Sequence, residues 1–314
     1  MFNGMEYVYE VYKEKSFSKA AKKLFISQPS LSATVKRVET RIGYPIFNRN
    51  TTPLTLTECG EHYIKAVEEI LAIQTSFQNF INDLEDLKTG SLTLGGSSLF
   101  SALVFPKLIG EFTRRFPKVT IDLIEESTSR LEQLLMSGVI DLVIDNYHFN
   151  ESYIEQVVYQ EEHLLLAVPR DFMINRQFSD YQIPVEQIRS QFYLQEQIPP
   201  VPLEKFSDQP FILLKQENDT RQRAMQLCRK HGFTPKIILA LDQQMTSYNV
   251  TCSGMGISFI SDTLVRNTYA NPKVCYYKLE GADATRNIYF CWKNGKYKSR
   301  AMEEFLKLAS SSPA

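Results

Sequence analysis

The chain has 314 residues, of which 43% are hydrophobic and 23% charged, and its 35 basic side chains nearly balance 36 acidic ones. This composition excludes a wholly disordered protein and predicts about two globular domains, and the sequence shows neither a run of roughly 18 apolar residues that could span a membrane nor a secretory signal. The five cysteines are odd in number and widely spaced, which argues against a disulfide framework or a zinc site and indicates buried structural thiols in a reducing cytoplasm.

Basic charge is concentrated near the amino end. Residues 11–50 contain nine basic and two acidic side chains, a net charge of +7, so the rest of the chain carries a net charge of −8. Such a segment is the electrostatic footprint expected of a nucleic-acid contact. A solvated helix face is the alternative explanation.

Three helices are predicted in this part of the chain. Apolar side chains from Met5 to Tyr12 recur at helical spacing and indicate the first. Ser18 is placed to cap a short second helix and Ser27 to cap a third, which Gly43 ends. Two helices joined by a three-residue turn, the second starting with small polar side chains on its exposed face, predict a helix-turn-helix that enters a DNA major groove. An ordinary helical hairpin is the alternative.

The segment after Gly43 predicts a two-stranded wing. It has the sequence PIFNRNTTPLTLTECGEHY, with Arg49 at the tip, and leads into a new helix that Thr57 caps. Glu58 then lies in the first turn, where the helix dipole favours an acidic side chain.

In the predicted helix-turn-helix and wing, the sequence resembles the LysR-type transcriptional regulators. The resemblance is carried by SFSKAAKKLFISQPSLSATVKRVETRIGYPIFNRN, from residue 16, and by LTLTECGEHY, from residue 54. In that family Ala-Ala and Leu precede a Ser-Gln-Pro-Ser-Leu-Ser start of the recognition helix, and Gly and Leu-Phe-Arg precede Leu-Thr-x-x-Gly. The chain departs in the wing, where the family commonly has two basic residues and only Arg49 is basic here, which weakens the expected phosphate contacts.

The expected DNA contacts divide by chemistry. Small or polar residues at the start of the third helix are expected nearest the bases, where they give specificity, and the other residues nearest the phosphates, where they give affinity and salt dependence. The residues nearest the bases are Ser30, Ser32, Ala33 and Thr34, and those nearest the phosphates are Gln28, Lys36, Arg37 and Arg49.

A long helix is predicted from Thr57 to about Leu87, because this run contains no Pro and a single Gly, in its first turn. Its apolar positions alternate spacings of four and three, as in a coiled coil. We expect it to join two copies of the chain, so that two heads match two DNA half-sites. The alternative is that this helix packs on the chain's own second domain. A tetramer is implied by the resemblance alone. Lys88–Ser91, which follow the helix, are predicted to form a hinge. The seam positions are Tyr63, Val67, Ile70, Gln74, Phe77, Ile81 and Leu84.

From residue 91 onward, strand and helix patterns alternate, which indicates parallel sheets covered by helices. Two such units joined by crossing strands predict a two-lobed, periplasmic-binding-protein-like α/β domain, as the resemblance also implies, so the fold class is α/β overall. The predicted division is a winged helix-turn-helix over residues 1–57, a linker helix and hinge over 58–90, and an effector domain over 91–314. Lobe I is expected over about 91–160 and 269–314, and lobe II over about 161–268.

Ligands of open α/β sheets lie beyond the carboxyl ends of the strands, where helices begin. The loops at those ends therefore provide the expected effector contacts, and the resemblance implies the same loops, with Ser98 and Thr128 closest to its usual hydroxyl positions. Lys215 and Arg221 would add positive charge, so an anion such as a carboxylate is the preferred effector. Helix capping is the alternative for each hydroxyl, and pairing with a neighbouring acid is the alternative for Arg221. The expected contacts are Ser97, Ser98, Phe100, Ser127, Thr128, Asn146, Gln216, Thr220, Arg221 and Gln243.

The sequence contains no glycine-rich phosphate loop, metal-binding cluster or hydrolase nucleophile elbow, so we predict no catalytic residue, metal or cofactor. The predicted function is sequence-specific regulation of transcription, controlled by a small molecule bound between two lobes. The expected partners are double-stranded DNA, the effector, further copies of the chain and RNA polymerase, without a membrane. The alternatives are a ligand-independent repressor and an enzyme or binding protein that carries a DNA-binding head.

Overall fold

A computed structural model describes residues 2–83, 90–195 and 198–311. The chain divides into two compact units, Met1–Gln78 with Ser137–Val139, and Asn79–Met136 with Ile140–Ala314. The predicted fold class, an amino-terminal helix-turn-helix followed by a mixed helix and sheet domain, is confirmed. Over the described ranges, no helix is long and apolar enough to cross a membrane.

The first unit contains three short helices, a two-stranded antiparallel wing and the beginning of a long helix. These elements are α1 (Met5–Glu14), α2 (Phe17–Lys23), α3 (Gln28–Ile42), β1 (Phe47–Asn48), β2 (Thr55–Leu56) and α4 (Glu58–Asp83).

Local capping residues set the ends of these helices. The Ser27 hydroxyl accepts a hydrogen bond from the Ser30 backbone N–H at 3.3 Å, and Gly43 ends α3 in a left-handed conformation, so both predictions are confirmed. The prediction for α2 was wrong by two residues. Ser16, and not Ser18, caps this helix, because its hydroxyl lies 3.4 Å from the Lys19 backbone N–H.

The core of the first unit joins all four helices to the wing. The methyl side chains of Ala20 and Ala21 are buried, which lets α2 approach its neighbours closely. Tyr63 and Val67, the first two positions of the predicted seam, are buried in this core and therefore pack on the chain's own helices. A Cβ at Gly60 would lie 2.1 Å from the Ile46 carbonyl oxygen, which explains the glycine of the Leu-Thr-x-x-Gly motif.

Further along α4, the apolar side chains lie at the surface. Ile73 is 71% exposed, although the predicted seam did not include it. Leu84, the last seam position, and residues 88 and 89 of the predicted hinge lie outside the described residues. The other large apolar side chains exposed on this helix are Phe77, Phe80 and Ile81.

The second unit contains nine strands among its described residues: β3 (Gly90–Gly96), β4 (Val119–Glu125), β5 (Leu142–Asp145), β6 (Ile154–Pro169), β7 (Pro210–Leu214), β8 (Lys236–Leu241), β9 (Ile257–Ser261), β10 (Val274–Lys278) and β11 (Thr285–Lys293). Its helices are α5 (Ser98–Leu103), α6 (Phe105–Arg115), α7 (Thr128–Ser137), α8 (Val185–Arg189), α9 (Asp219–Lys230), α10 (Gln244–Cys252), α11 (Asp262–Arg266) and α12 (Arg300–Ser311). Short 3₁₀ helices cover Met173–Arg176, Ser179–Tyr181, Phe192–Leu194, Leu203–Phe206 and Ala282–Ala284.

Two groups of strands share the long strand β6. In the first lobe β4, β3 and β5 are parallel, and β11 pairs antiparallel with both β5 and the first half of β6. In the second lobe β8, β7 and β9 are parallel, and β9 and β10 pair antiparallel with the second half of β6. β10 was expected in lobe I, but it pairs with residues 165–169 of β6, so the chain returns to the first lobe only after Lys278.

Aromatic packing holds helices on the first lobe. Phe112 of α6 and Phe305 of α12 are fully buried with their ring centroids 5.4 Å apart, and Phe105 and Phe290 lie in the same core. This close packing makes the sheet rigid, and the rigid sheet positions the loops at the carboxyl ends of its strands.

Candidate DNA-reading surface and interlobe cleft

The outer face of α3 is polar and solvent-accessible, while Leu31, Val35 and Val38 on its inner face are buried. This division follows from the 3.6-residue period of the helix. None of the eight residues expected at DNA is buried. Gln28, Ser30, Ala33, Lys36, Arg37 and Arg49 are exposed, and Ser32 and Thr34 are half-buried.

Arg37 lies along the surface of α3 and does not extend freely into solvent. Its Nη2 donates a hydrogen bond to Thr34 Oγ1 at 2.9 Å, one turn earlier in the helix. The hydroxyl thereby positions a cation next to the small side chains at the start of the helix. A phosphate or a base edge would meet a guanidinium that is already oriented.

Arg49 was expected at the tip of the wing, and it lies in the turn that directly follows β1, but its side chain does not point away from the domain. Its Nη2 lies 2.9 Å from Glu39 Oε2, and its Nη1 donates to Ser32 Oγ at 3.3 Å, so the side chain folds back onto α3. The guanidinium carbon also lies 5.1 Å from the centroid of the Phe17 ring. The single basic residue of the wing therefore adds its charge to the face of α3.

The two lobes of the second unit enclose a cleft of about 400 Å³. It lies beyond the carboxyl ends of several strands, where hydroxyl and amide side chains gather. Six of the ten expected effector contacts line this cleft or the narrow space beside it. They are Ser97, Ser127, Thr128, Asn146, Thr220 and Gln243.

Ser98 is not among the residues that line the cleft, but a direct hydrogen bond joins it to Gln243, which does line it, in the other lobe. Ser98 Oγ donates to Gln243 Oε1 at 2.6 Å, joining the first residue of α5 in one lobe to the residue that precedes α10 in the other. The bond is partly buried. It links the two lobes through a hydroxyl and an amide, which are groups that a bound molecule could also engage.

A buried carboxyl lies at the end of β5 in the same cleft. Asp145 Oδ2 accepts a hydrogen bond from Thr128 Oγ1 at 3.0 Å, and Oδ1 accepts one from the Tyr147 backbone N–H at 2.9 Å. Burial raises the pKa of Asp145 to about 6, although these two hydrogen bonds act in the opposite direction.

A buried ion pair joins the strands that run between the lobes. The side chain of Arg286 on β11 is 1% exposed, and its Nε lies 2.7 Å from Oε1 of Glu162 on β6. Its Nη1 lies 2.7 Å from Asp219 Oδ2 and donates to Thr220 Oγ1 at 3.0 Å, both at the start of α9. The Ser261 hydroxyl donates to the second oxygen of Glu162.

A recess of about 270 Å³ adjoins this ion pair. Nη2 of Arg286 is buried and has no hydrogen-bond partner in the part of the chain that the structure describes. The recess is lined by Asn146, Tyr147, His148, Asp219, Arg223, Arg286, Asn287 and Tyr289. Most of these side chains can donate hydrogen bonds, and one is a carboxylate.

Comparison with known proteins assigns both units. The family model described as "LysR substrate binding domain" matches residues 85–312, and the model described as "Bacterial regulatory helix-turn-helix protein, lysR family" matches residues 2–61. The chain belongs to the LysR family. It is therefore a LysR-type DNA-binding transcriptional regulator with an effector-binding domain, and the predicted family is confirmed.

Full-length relatives share this organisation. The "Uncharacterized HTH-type transcriptional regulator YcgK" of Bacillus subtilis (strain 168) is 27% identical over 315 residues, covering 98% of this chain and 93% of the relative. The solved structure of CbnR, a LysR family transcriptional regulator, has a TM-score of 0.69 at 16% identity and covers 100% of this chain and 99% of CbnR. Full-length CbnR complexed with its target DNA has a TM-score of 0.67 at 17% identity, covering 99% of both chains. These two structures show the same fold.

In this LysR-family chain, Lys215 and Arg221 were expected to add positive charge to one wall of the cleft, and Lys215 alone of the two lines it. Lys215 Nζ lies 2.8 Å from Asp242 Oδ1, and Arg221 donates to the Leu214 carbonyl oxygen at 3.0 Å and does not line the cleft. Both cations are therefore engaged with the chain's own oxygens.

Two further expected contacts do not line the cleft either. Phe100 is 1% exposed and belongs to the core of the first lobe, because its side chain points to the buried side of α5. Gln216 is exposed, but it is not part of the cleft wall.

Sequence reasoning missed Asp145, Glu162 and Arg286. The available signal was a charged residue inside a segment expected to form a buried strand, as in QEEHLLLAVP and TRNIYFCW. A charge in such a segment needs a partner, and the partner's identity depends on which strands are neighbours.

The described residues contain no group of three or more His, Cys, Asp or Glu side chains that could hold a metal ion. All five cysteines are free, and three of them, Cys228, Cys275 and Cys291, are buried. Burial raises the pKa of the Cys228 thiol to about 12, which makes it a poor nucleophile at neutral pH.

Proposed function

We propose that the chain binds specific DNA sequences through the outer face of α3 and that a small molecule bound between the lobes controls this binding. The observation that carries the proposal is the cleft of about 400 Å³, whose walls come from both lobes and whose sides are joined by the bond between Ser98 and Gln243. A ligand that engages both walls stabilises one closure of the lobes relative to another.

The proposed contacts with DNA follow from exposure and chemistry. Ser30 and Ala33 are small, exposed residues near the start of α3, which suits close approach to base edges in the major groove. Lys36 and Arg37 lie further along the helix and supply the charge that attracts phosphates. Arg49 joins them from the wing through its contact with Ser32.

We propose a carboxylate effector whose acidic group enters the recess beside Arg286. The support is the donor-rich lining of that recess and the Nη2 atom of Arg286, which lacks a partner among the described residues. The larger cleft is less suited to an acidic group, because Glu132, Glu217 and Asp242 line it and its Lys215 is already paired with Asp242. The polar remainder of the effector would lie there, against the hydroxyls of Ser127 and Thr128.

We also propose that α4 joins two copies of the chain. This is supported by Ile73, which is 71% exposed, and by the further apolar side chains that follow it at helical spacing. Two copies would present two α3 helices to two half-sites. Contact with RNA polymerase and a tetrameric state stay predictions, as do the domain boundaries at residues 57 and 90.

Two alternative functions have less support. An enzyme with a DNA-binding head would need a nucleophile and base in the cleft, and the cleft walls offer hydroxyls whose described partners are carboxylates and amides rather than a histidine base. A ligand-independent repressor would have no use for a polar cleft of this size. Thermal stabilisation by a metabolite would contradict this second alternative.

The experiment is a thermal-shift screen of small carboxylic acids on the full-length protein, followed by DNA-binding measurements with and without each hit. A true effector at 100 times its Kd should raise the melting temperature by about 5 °C or more and change the DNA affinity. Arg223→Gln, which removes a cation that lines the recess, should weaken the thermal response, whereas Lys307→Ala, which removes an exposed and paired cation of α12, should preserve it. A screen in which no acid stabilises the protein would overturn the carboxylate proposal.

A further inference from the structure

Phe25 is an exposed aromatic residue at the turn of the helix-turn-helix. Its side chain is 95% exposed, and among the described residues only Tyr269 has a large apolar side chain as fully exposed. Isolated apolar side chains at a surface are common, but a ring that has almost no contact with the fold gains little from folding. Its place in the chain therefore needs a separate explanation.

The end of α2 explains the backbone conformation of Phe25 but not the choice of a phenyl side chain. The Ile26 N–H donates to the Ala21 carbonyl at 3.0 Å, and the Phe25 N–H donates to the Lys22 carbonyl at 3.2 Å, which is the Schellman pattern at the end of α2. Phe25 occupies the left-handed position of that motif, with φ of +54°. Glycine is preferred there because a Cβ is disfavoured at such angles, so helix capping does not favour a phenyl ring.

The position of Phe25 in the chain brings it close to the start of α3. Three peptide steps separate it from Gln28, which limits the distance between the two Cα atoms to about 11 Å. The ring is therefore next to the start of α3, where Ser27 caps the helix and Ser30 is exposed. Lys22, in the last turn of α2, is also exposed, so a cation that attracts a polyanion lies three residues before the ring in the chain.

We propose that Phe25 contacts the C5 methyl group of a thymine at the edge of the major groove and contributes to operator specificity. A phenyl ring is one of the apolar groups that recognise this methyl, which thymine alone among the DNA bases carries. The inference rests on the proposed function, in that α3 must read DNA. It adds a specificity residue that carries no charge and forms no hydrogen bond through its side chain.

The test uses the full-length protein and an operator selected from a library of randomised duplexes, with Kd measured by fluorescence anisotropy across a salt series. Phe25→Gly retains the capping motif and should raise the Kd for the operator by about five- to tenfold, because the apolar contact is lost. The slope of log Kd against log salt should not change, because no charge is removed.

The second arm of the test changes the DNA. Each thymine of the operator is replaced in turn by deoxyuridine, which lacks only the methyl group. At one position the replacement should weaken wild-type binding about fourfold, the value of one buried methyl, and should have no effect on Phe25→Gly. If Phe25→Gly and wild type lose affinity equally at every position, the thymine contact is wrong.

Two control variants test whether replacing any left-handed residue, or removing any exposed ring, changes the Kd. Gln191→Gly replaces another left-handed residue, and Tyr269→Ala removes another fully exposed ring, both in the second unit. Both should leave the Kd unchanged, and Phe25→Gly should melt at or above the wild-type temperature. An unchanged Kd for Phe25→Gly would overturn the proposal, as would a change in the mass of the oligomer in place of a change in Kd. A wild-type protein that selects no sequence would instead refute the proposed function itself.

Discussion

Ser98 and Gln243 lie 145 positions apart in the chain, and a hydrogen bond of 2.6 Å from Ser98 Oγ to Gln243 Oε1 joins them across the cleft. Each residue stands where a helix begins after a strand, one in each lobe. The bond therefore ties two helix starts that are otherwise held by separate sheets. An effector that engages either side chain competes with this contact, which couples ligand binding to the arrangement of the lobes.

Removing this bond should lower the free energy of unfolding, and the effects of the two single variants should not add in the double variant. Ser98→Ala and Gln243→Ala should each lower the free energy of unfolding by about 1 kcal/mol, and the double variant should lose about as much as one of them, because the bond is lost once. Urea denaturation followed by tryptophan fluorescence isolates the second unit, since Trp292 is the chain's single tryptophan. Fully additive losses would show that the two side chains are not coupled.

Asp145 should make the second unit less stable as the pH rises. Its folded-state pKa of about 6 lies above the ordinary 3.8, so the native state holds the proton more tightly than the unfolded state. The resulting stability is fully present below about pH 4 and is lost as the pH rises through 6, by about 3 kcal/mol. Asp145→Asn should remove this dependence and be the more stable protein at pH 7. Parallel stability curves for wild type and variant between pH 4 and 7 would contradict this assignment.

Removing one partner of the buried ion pair between Arg286 and Glu162 should strongly destabilise the protein. Arg286→Met leaves the Glu162 carboxylate buried without its cation and should lower the free energy of unfolding by about 3–5 kcal/mol. Adding Glu162→Gln should restore part of that loss, because the unpaired charge is then gone. The comparison uses the same fluorescence-detected urea curves. A double variant less stable than Arg286→Met would show that the charge is not the source of the cost.

The exposed part of α4 should determine self-association. Ile73→Asp places a charge on its apolar face and should lower the sedimentation mass of the protein and weaken operator binding at least tenfold, because two linked heads bind more tightly than one. Thr75→Asp adds the same charge at another exposed position of the helix and is the matched control. If both variants keep the wild-type mass, α4 does not join the copies.

The sequence was most informative where a short-range rule decides the structure. The cap at Ser27, the stop at Gly43 and the alternation of apolar positions on α3 depend on residues within one or two turns, and these predictions were confirmed. The wing strands and the place of Arg49 in the turn between them were also predictable, whereas the direction of the Arg49 side chain was not. It depends on Glu39 and Phe17, which reach it through tertiary packing.

The cleft shows the same limit. Strand ends predicted that Ser97, Thr128 and Gln243 would lie together, and they line the same space, because the carboxyl ends of parallel strands lie on one side of a sheet. Their contact with an effector stays a prediction. Of the two cations expected on the cleft wall, Lys215 lines the cleft and Arg221 does not, because whether a cation faces the cleft depends on its rotamer and its partners. Arg221 turned to a backbone carbonyl, and Arg286, 65 residues further along the chain, became the buried cation.

DNA recognition by α3 is tested most directly by fluorescence anisotropy of the full-length protein on DNA from its own upstream region and on a scrambled duplex, across a salt series. We expect tighter binding to the upstream fragment. Arg37→Ala should weaken binding to both duplexes and reduce the salt slope by about 1, Thr34→Ala should weaken mainly the upstream fragment, and Lys307→Ala, an exposed cation of α12, should change neither. Equal affinity for both duplexes, unaltered by Thr34→Ala or Arg37→Ala, would contradict the claim that the outer face of α3 recognises specific DNA.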